Sequence, residues 1–84
     1  MNIKIYRRAT VRAVTGTPNS TMHDQILKGL FPKNIALGRR SVGWPSHEID
    51  ALIKARVAGK SEDEIRALVK ALHAARKNLS EAQT

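Results

Sequence analysis

The sequence predicts a mainly α fold in which two short helices, a small β hairpin and two longer helices follow one another. Three observations carry this. Val11 and Val14 stand one helical turn apart and are followed by Gly16 and then Thr17-Pro18, the pattern of a helix that stops in a tight turn and a second that starts at once. Apolar residues then change period, with Ile35 and Leu37 alternating with Asn34 and Ala36, and Val42 and Trp44 alternating with Ser41 and Gly43. Helical periodicity returns after Pro45 and holds to Leu79. A helix-turn-helix beside a two-stranded β ribbon is a winged helix-turn-helix, here with an additional C-terminal amphipathic helix. The expected division is a winged helix-turn-helix domain over residues 1–58, the amphipathic helix over 59–79 and a disordered tail over 80–84.

Taken in order, Met1, Ile3 and Ile5 alternate with Asn2 and Lys4, as in a short strand or a frayed arm. Tyr6 and Arg7-Arg8 lead into a first helix that begins near Ala9 or Thr10 and ends at Thr15. Thr17 offers a capping hydroxyl and Pro18 a first helical residue for the second helix. That helix places Met22, Gln25, Ile26 and Gly29 on an inner face, and Ser20, His23, Asp24 and Leu27 on an outer one. Gly29 closes it and Leu30-Phe31-Pro32 breaks away. The hairpin follows, its tip formed by Gly38-Arg39-Arg40-Ser41. Trp44, the sole tryptophan, is assigned to the core. Pro45 or Ser46 opens a third helix with an apolar stripe of Ile49, Leu52, Ile53 and Val57, ending at Gly59. Ser61 and Glu64 are spaced as a capping box for the fourth helix.

The fourth helix carries Ile65, Leu68, Leu72, Ala75 and Leu79 at intervals of three, four, three and four, with Val69 widening the stripe. It can fold back on the third helix or pair with a second copy. The preceding helices and hairpin already look like a complete unit, so a homodimer through Ile65, Leu68, Leu72 and Leu79 is expected.

The 84 residues carry 15 lysines and arginines against seven acids, a net charge of +8. The excess is lopsided: eight basic residues face one acid up to Pro45, and seven face six beyond it. Charge concentrated on the half that holds the helix-turn-helix is the electrostatic footprint of a phosphate-rich partner. Duplex DNA fits better than RNA, because three aromatics with no basic surface interleaved make a poor stacking platform. Asn19, Ser20, Thr21 and His23 are the candidates for contacts in the major groove. Asn19, Ser20 and Thr21 also sit where short polar side chains cap a helix. Lys28, Lys33, Arg39 and Arg40 are candidates for phosphates, the two tip arginines also for a narrow minor groove. Arg7 and Arg8 could clamp a phosphate at the first helix. Asp24 would accept from a cytosine amine or hold a neighbouring lysine, and Leu27 would meet a thymine methyl or pack beneath the wing.

Other classes lack their parts. There is no cysteine, and His23, His47 and His73 have no ligand spacing, so no metal and no cofactor is expected. No Gly-rich phosphate loop and no acid pair beside a histidine suggest an enzyme. His47 and Glu48 are adjacent and point about 100° apart on a helix, as first-turn residues of the third helix. With neither a signal peptide nor a membrane-length apolar run, the expected location is cytoplasmic and away from membrane.

The segment from about Tyr6 to Arg56 resembles the AlpA family of prophage and phage regulators, relatives of MerR-type winged helix-turn-helix proteins and of phage excisionases. The resemblance rests on Val14-Thr15-Gly16, Ser20-Thr21, Gly29-Leu30-Phe31-Pro32-Lys33, Leu37-Gly38 and Val42-Gly43-Trp44-Pro45 followed by Glu48 and Ile49. It implies a DNA-binding activator or repressor of transcription, without enzymatic activity. Members commonly carry serine, arginine, serine and threonine at the start of the second helix, then a tyrosine and an arginine; Pro18, Asn19, Ser20, Thr21, His23 and Asp24 stand here. The recognition face is therefore less basic than usual. An excisionase that bends DNA for an integrase or other recombinase needs the same fold and charge. So the expected partners are double-stranded DNA, a second copy, and an integrase or RNA polymerase. An adaptor that binds protein through its fourth helix is the alternative from another class.

Overall fold

A computed structural model describes residues 4–82, with side chains for 4–78. The elements are β1 (Ile5–Arg7), α1 (Arg8–Thr15), α2 (Asn19–Leu27), β2 (Ile35–Ala36), β3 (Val42–Pro45), α3 (Ser46–Val57) and α4 (Glu62–Ala82). The fold is mainly helical with one small antiparallel sheet of order β1-β3-β2.

The hairpin lies where the change of period put it. Ile35 pairs with Gly43 and Ala36 with Val42, and the Leu37 N–H donates to the Ser41 carbonyl at 2.8 Å to close the tip. The sheet has a third strand that a two-stranded ribbon lacks. Ile5, Tyr6 and Arg7 pair with Pro45, Trp44 and Gly43, and the ladder runs on through Ser46 N–H to the Lys4 carbonyl at 2.7 Å. The expected strand at residues 1–5 is thus displaced, its first three residues lying outside those described. β3 is flanked on both sides, and a Cβ on Gly43 would lie 2.6 Å from Ile5 Cγ2 and 3.0 Å from the Tyr6 carbonyl oxygen. Only glycine fits there without movement.

Helix starts differ from expectation in two places. α1 begins at Arg8, because β1 delivers the chain directly into it with Arg7 as the extended flanking residue. α2 begins at Asn19 with Pro18 before it, and Thr17 does not cap: its buried hydroxyl donates to the Thr15 carbonyl at 3.4 Å. The turn itself is as expected, with Gly16 at φ 65° and the Thr17 N–H reaching back to the Arg12 carbonyl. α2 ends with Leu30 N–H on the Gln25 carbonyl and Gly29 N–H on the Ile26 carbonyl, the paired bonds of a Schellman motif. The Ser61–Glu64 capping box forms reciprocally, both bonds at 3.2 Å. The Ser61 N–H, then its hydroxyl and Lys60, hold the Glu64 carboxyl below its ordinary value.

One core serves all four helices. It contains Val11 of α1, Met22 of α2, Leu30 and Phe31 of the following turn, Trp44 of β3, Ile49 and Leu52 of α3, and Ile65 and Val69 of α4. Trp44 and Phe31 meet edge to face with centroids 6.2 Å apart, and Trp44 Nε1 donates to the Pro32 carbonyl at 2.8 Å. Val57 is 84% exposed, contrary to the expected stripe, since the last turn of α3 runs past the core.

The fourth helix corrects a larger expectation. α4 folds back on α3, and Ile65 is only 8% exposed, inside the chain's own core. The first three helices and the sheet are therefore not a complete unit, and Ile65 is no free contact for a second copy. Leu68 and Leu72 are half-buried, and the Leu79 side chain lies outside those described. α4 also continues past residue 79, as no glycine or proline follows Gly59 to stop it.

Polar groups of α4 seize the segment after Pro32. His73 Nε2 accepts the Lys33 N–H at 3.0 Å, and Arg76 Nη2 donates to the Lys33 carbonyl at 2.6 Å. Arg76 also forks onto Glu48, at 2.7 Å from Nε to Oε2 and 2.6 Å from Nη2 to Oε1. Glu48 is wholly buried.

The His73 bond sets a pH dependence. Burial, then Arg76 and Lys33, lower the imidazole's pKa below 6.5, with Glu48 opposing. A group with a depressed basic pKa binds fewer protons folded than unfolded, so its stabilisation is full above about pH 6.5 and is lost as pH falls through the lower folded value. Thermal unfolding from pH 7 down to pH 5 is expected to show a larger fall in Tm for the wild type than for His73→Gln. Equal slopes would separate His73 from the transition.

Candidate nucleic-acid interface

The outer face of α2 is the expected one. Ser20, Thr21, His23, Asp24 and Leu27 are exposed, while Met22 is buried and Gln25, Ile26 and Gly29 are partly so. Leu27, 75% exposed, is not packed beneath the hairpin. The helix is held from behind: Met22 sits in the core, and Arg56 of α3 donates to Gln25 Oε1 at 2.9 Å while its guanidinium lies 5.8 Å from the Phe31 ring centroid.

Asp24 does hold a neighbouring lysine, with Lys28 Nζ at 3.0 Å and both side chains well exposed. Such a surface pair is worth at most about 1 kcal/mol, so Lys28 can leave Asp24 for a phosphate at small cost.

The arginine pair at the β1–α1 junction splays in two directions. Arg7 Nη2 reaches across the sheet to Ser41 Oγ at 3.2 Å, beside the tip arginines Arg39 and Arg40. Arg8 Nη1 donates to Asn19 Oδ1 at 2.9 Å, at the first residue of α2. Two consecutive residues thus touch two different places, Arg7 the end of the hairpin tip and Arg8 the start of α2. Lys33 has its backbone held by α4 and lies near Leu27, Lys70 and His73.

Sequence patterns gave no sign of three of these contacts. Arg56–Gln25, Arg76–Glu48 and Arg8–Asn19 link residues 31, 28 and 11 positions apart. Arg8, Asn19 and Glu48 were each singled out in the sequence, but for other reasons than these pairings. Among the described residues no three His, Asp or Glu side chains gather as metal ligands, and no helix is long and apolar enough to cross a membrane.

Residues 4–57 match the family described as prophage CP4-57 regulatory protein (AlpA). The chain belongs to the AlpA family. It is also 33% identical over 57 residues to the uncharacterized protein ORF88 of Enterobacteria phage P4, an alignment covering 68% of this chain and 65% of that protein. The chain thus spans slightly less than two thirds of the phage protein's length. No solved structure matches the chain. The AlpA match takes in β1 through α3, with α2 and the hairpin, and stops before α4.

Proposed function

We propose that this AlpA-family protein is a sequence-specific, duplex-DNA-binding regulator of phage transcription. α2 enters the major groove with Asn19, Ser20, Thr21 and His23 toward the bases. The hairpin acts as a wing, with Arg39, Arg40 and Arg7 on the backbone or in the adjacent minor groove, and Lys28 and Lys33 add phosphate contacts. The observation that carries this is the splayed Arg7-Arg8 pair, which sets one arginine against the hairpin tip and the other against the α2 start. Pairing of two copies belongs to the proposal, with Leu68 and Leu72 as the apolar contacts left on α4. The burial of Ile65 and Val69 in the chain's own core narrows the α4 face open to a second copy and to any other protein alike.

Fluorescence anisotropy with random-sequence duplex over a salt series tests it. Binding by the wild type is expected to weaken steeply with salt. Arg39→Ala/Arg40→Ala should shallow the log–log slope by about 2, one contact per arginine. Absence of wild-type binding at low salt would sink the DNA proposal. An unchanged slope in the double variant would remove the hairpin from the interface.

A further inference from the structure

α4 is fastened to the C-terminal end of α2. Arg66 Nε donates to the carbonyl of Lys28, the residue that ends the helix, at 3.0 Å, and a Cβ on Gly29 would lie 3.8 Å from Arg66 Cγ. Beside that junction runs an open groove between the two helices, lined by the apolar side chains of Ile26, Leu27 and Val69. Its ionisable lining is Lys33, Arg66 and Lys70 with His73, and it includes no acid. Arg66 is taken up by Glu62 and Asp63 at 3.8 and 3.1 Å. Among the described residues, no carboxylate lies within ion-pair distance of Lys33 or Lys70, and both are exposed. Two positive charges in one groove repel each other, and a run of phosphates relieves both.

We propose that Lys70 of α4 takes a backbone phosphate of the bound duplex, next to the one assigned to Lys33, so that the fourth helix is part of the DNA interface. This rests on the assignment of α2 to the major groove. Leu27 belongs to the exposed face of α2 and also lines the groove, so the groove opens beside the face turned to DNA. The nine residues of α2 span about 13 Å, against a major groove about 12 Å wide. A helix of that length with its first turn toward the bases brings its last turn to the sugar-phosphate wall. There Lys33 is set in place by α4, which holds its N–H through His73 and its carbonyl through Arg76. Lys70 follows Arg66 by one turn on the same face of α4. Leu68 and Leu72 each stand about 200° from Lys70 round that helix, so the phosphate leaves the apolar contacts proposed between copies clear. A lysine meets phosphate as a point charge, and the contact adds affinity without base preference. The AlpA match ends at residue 57, so Lys70 lies outside it.

The test is fluorescence anisotropy with random-sequence duplex over a salt series, on the full chain as wild type, Lys70→Ala and Lys60→Ala, each checked for cooperative thermal unfolding. Lys60 is the control, because it lines the other groove of α4, against Ala51 and Ala55 of α3, and its loss removes the same charge. Lys70→Ala is expected to shallow the log–log slope by about 1 and to weaken binding to every sequence alike. Lys60→Ala should keep the wild-type slope. If Lys70→Ala does not fold, Lys70→Gln takes its place with the same expected slope. Two results overturn the proposal: a Lys70 variant with the wild-type slope, or a Lys60→Ala slope as shallow as that of the Lys70 variant, which makes the effect one of net charge. In both, steep salt dependence in the wild type leaves the DNA proposal standing. Absence of wild-type binding to any duplex at low salt defeats the DNA proposal and this one with it.

Discussion

Arg76→Ala is expected to destabilise the fold by about 3–5 kcal/mol, the cost of stranding a buried charge. Glu48 is fully buried, and both its carboxylate oxygens are held by the one guanidinium. Removing Arg76 leaves that charge with neither water nor partner, and also frees the Lys33 carbonyl. A domain of this size has about 5–15 kcal/mol in all, so a large share of stability goes at once. Urea denaturation followed by Trp44 fluorescence checks this. Two further variants separate the stranded charge from lost packing. Adding Glu48→Gln to Arg76→Ala should recover part of the loss. Replacing the pair by Glu48→Met and Arg76→Leu should bring stability close to wild type, because an apolar pair has no charge to desolvate. An Arg76→Ala protein within about 1 kcal/mol of the wild type would mean that the carboxylate reaches water.

Trp44→Ala is expected to cost a similar amount, about 3–5 kcal/mol, from lost transfer energy and the cavity left behind. Trp44 stands on the central strand, packs edge to face on Phe31 and is wholly buried. Trp44→Phe divides the effect. It keeps an aromatic ring but removes the donor to the Pro32 carbonyl, for an expected loss of about 1–3 kcal/mol. Thermal unfolding followed by far-ultraviolet circular dichroism reads both variants. A Trp44→Phe protein as stable as the wild type would mean that the Pro32 carbonyl finds another donor. The same ring supports Arg8, so Trp44→Phe should also loosen the link between α1 and Asn19.

Legibility in the sequence followed the range of the interaction. The hairpin was visible because its alternation and its Gly38-Arg39-Arg40-Ser41 tip are local. The Ser61–Glu64 box was visible because reciprocal capping demands a fixed spacing. The inner face of α2 was visible for the same reason, with Met22 buried and Ser20, His23, Asp24 and Leu27 exposed. Thr17 misled because it is a good capping residue by type, yet its hydroxyl turned to Thr15. Alternation in β1 could not say that it would join β3, since any exposed strand edge can accept a partner. The stripe on α4 showed that one face would be buried without showing by what, and the partner proved to be the chain's own core. Contacts such as Arg8–Asn19 and Arg76–Glu48 depend on the assembled fold, and no spacing rule reaches them.

The stretch shared with the AlpA family ends at residue 57, yet the core it belongs to does not. Cut there, the remaining chain would leave Leu52, Phe31 and the Glu48 carboxylate without the cover that Ile65, Val69 and Arg76 supply. The conserved-looking module is thus an open-sided part, and α4 is its lid. Any relative that keeps the same α3 face must close that side by some means of its own.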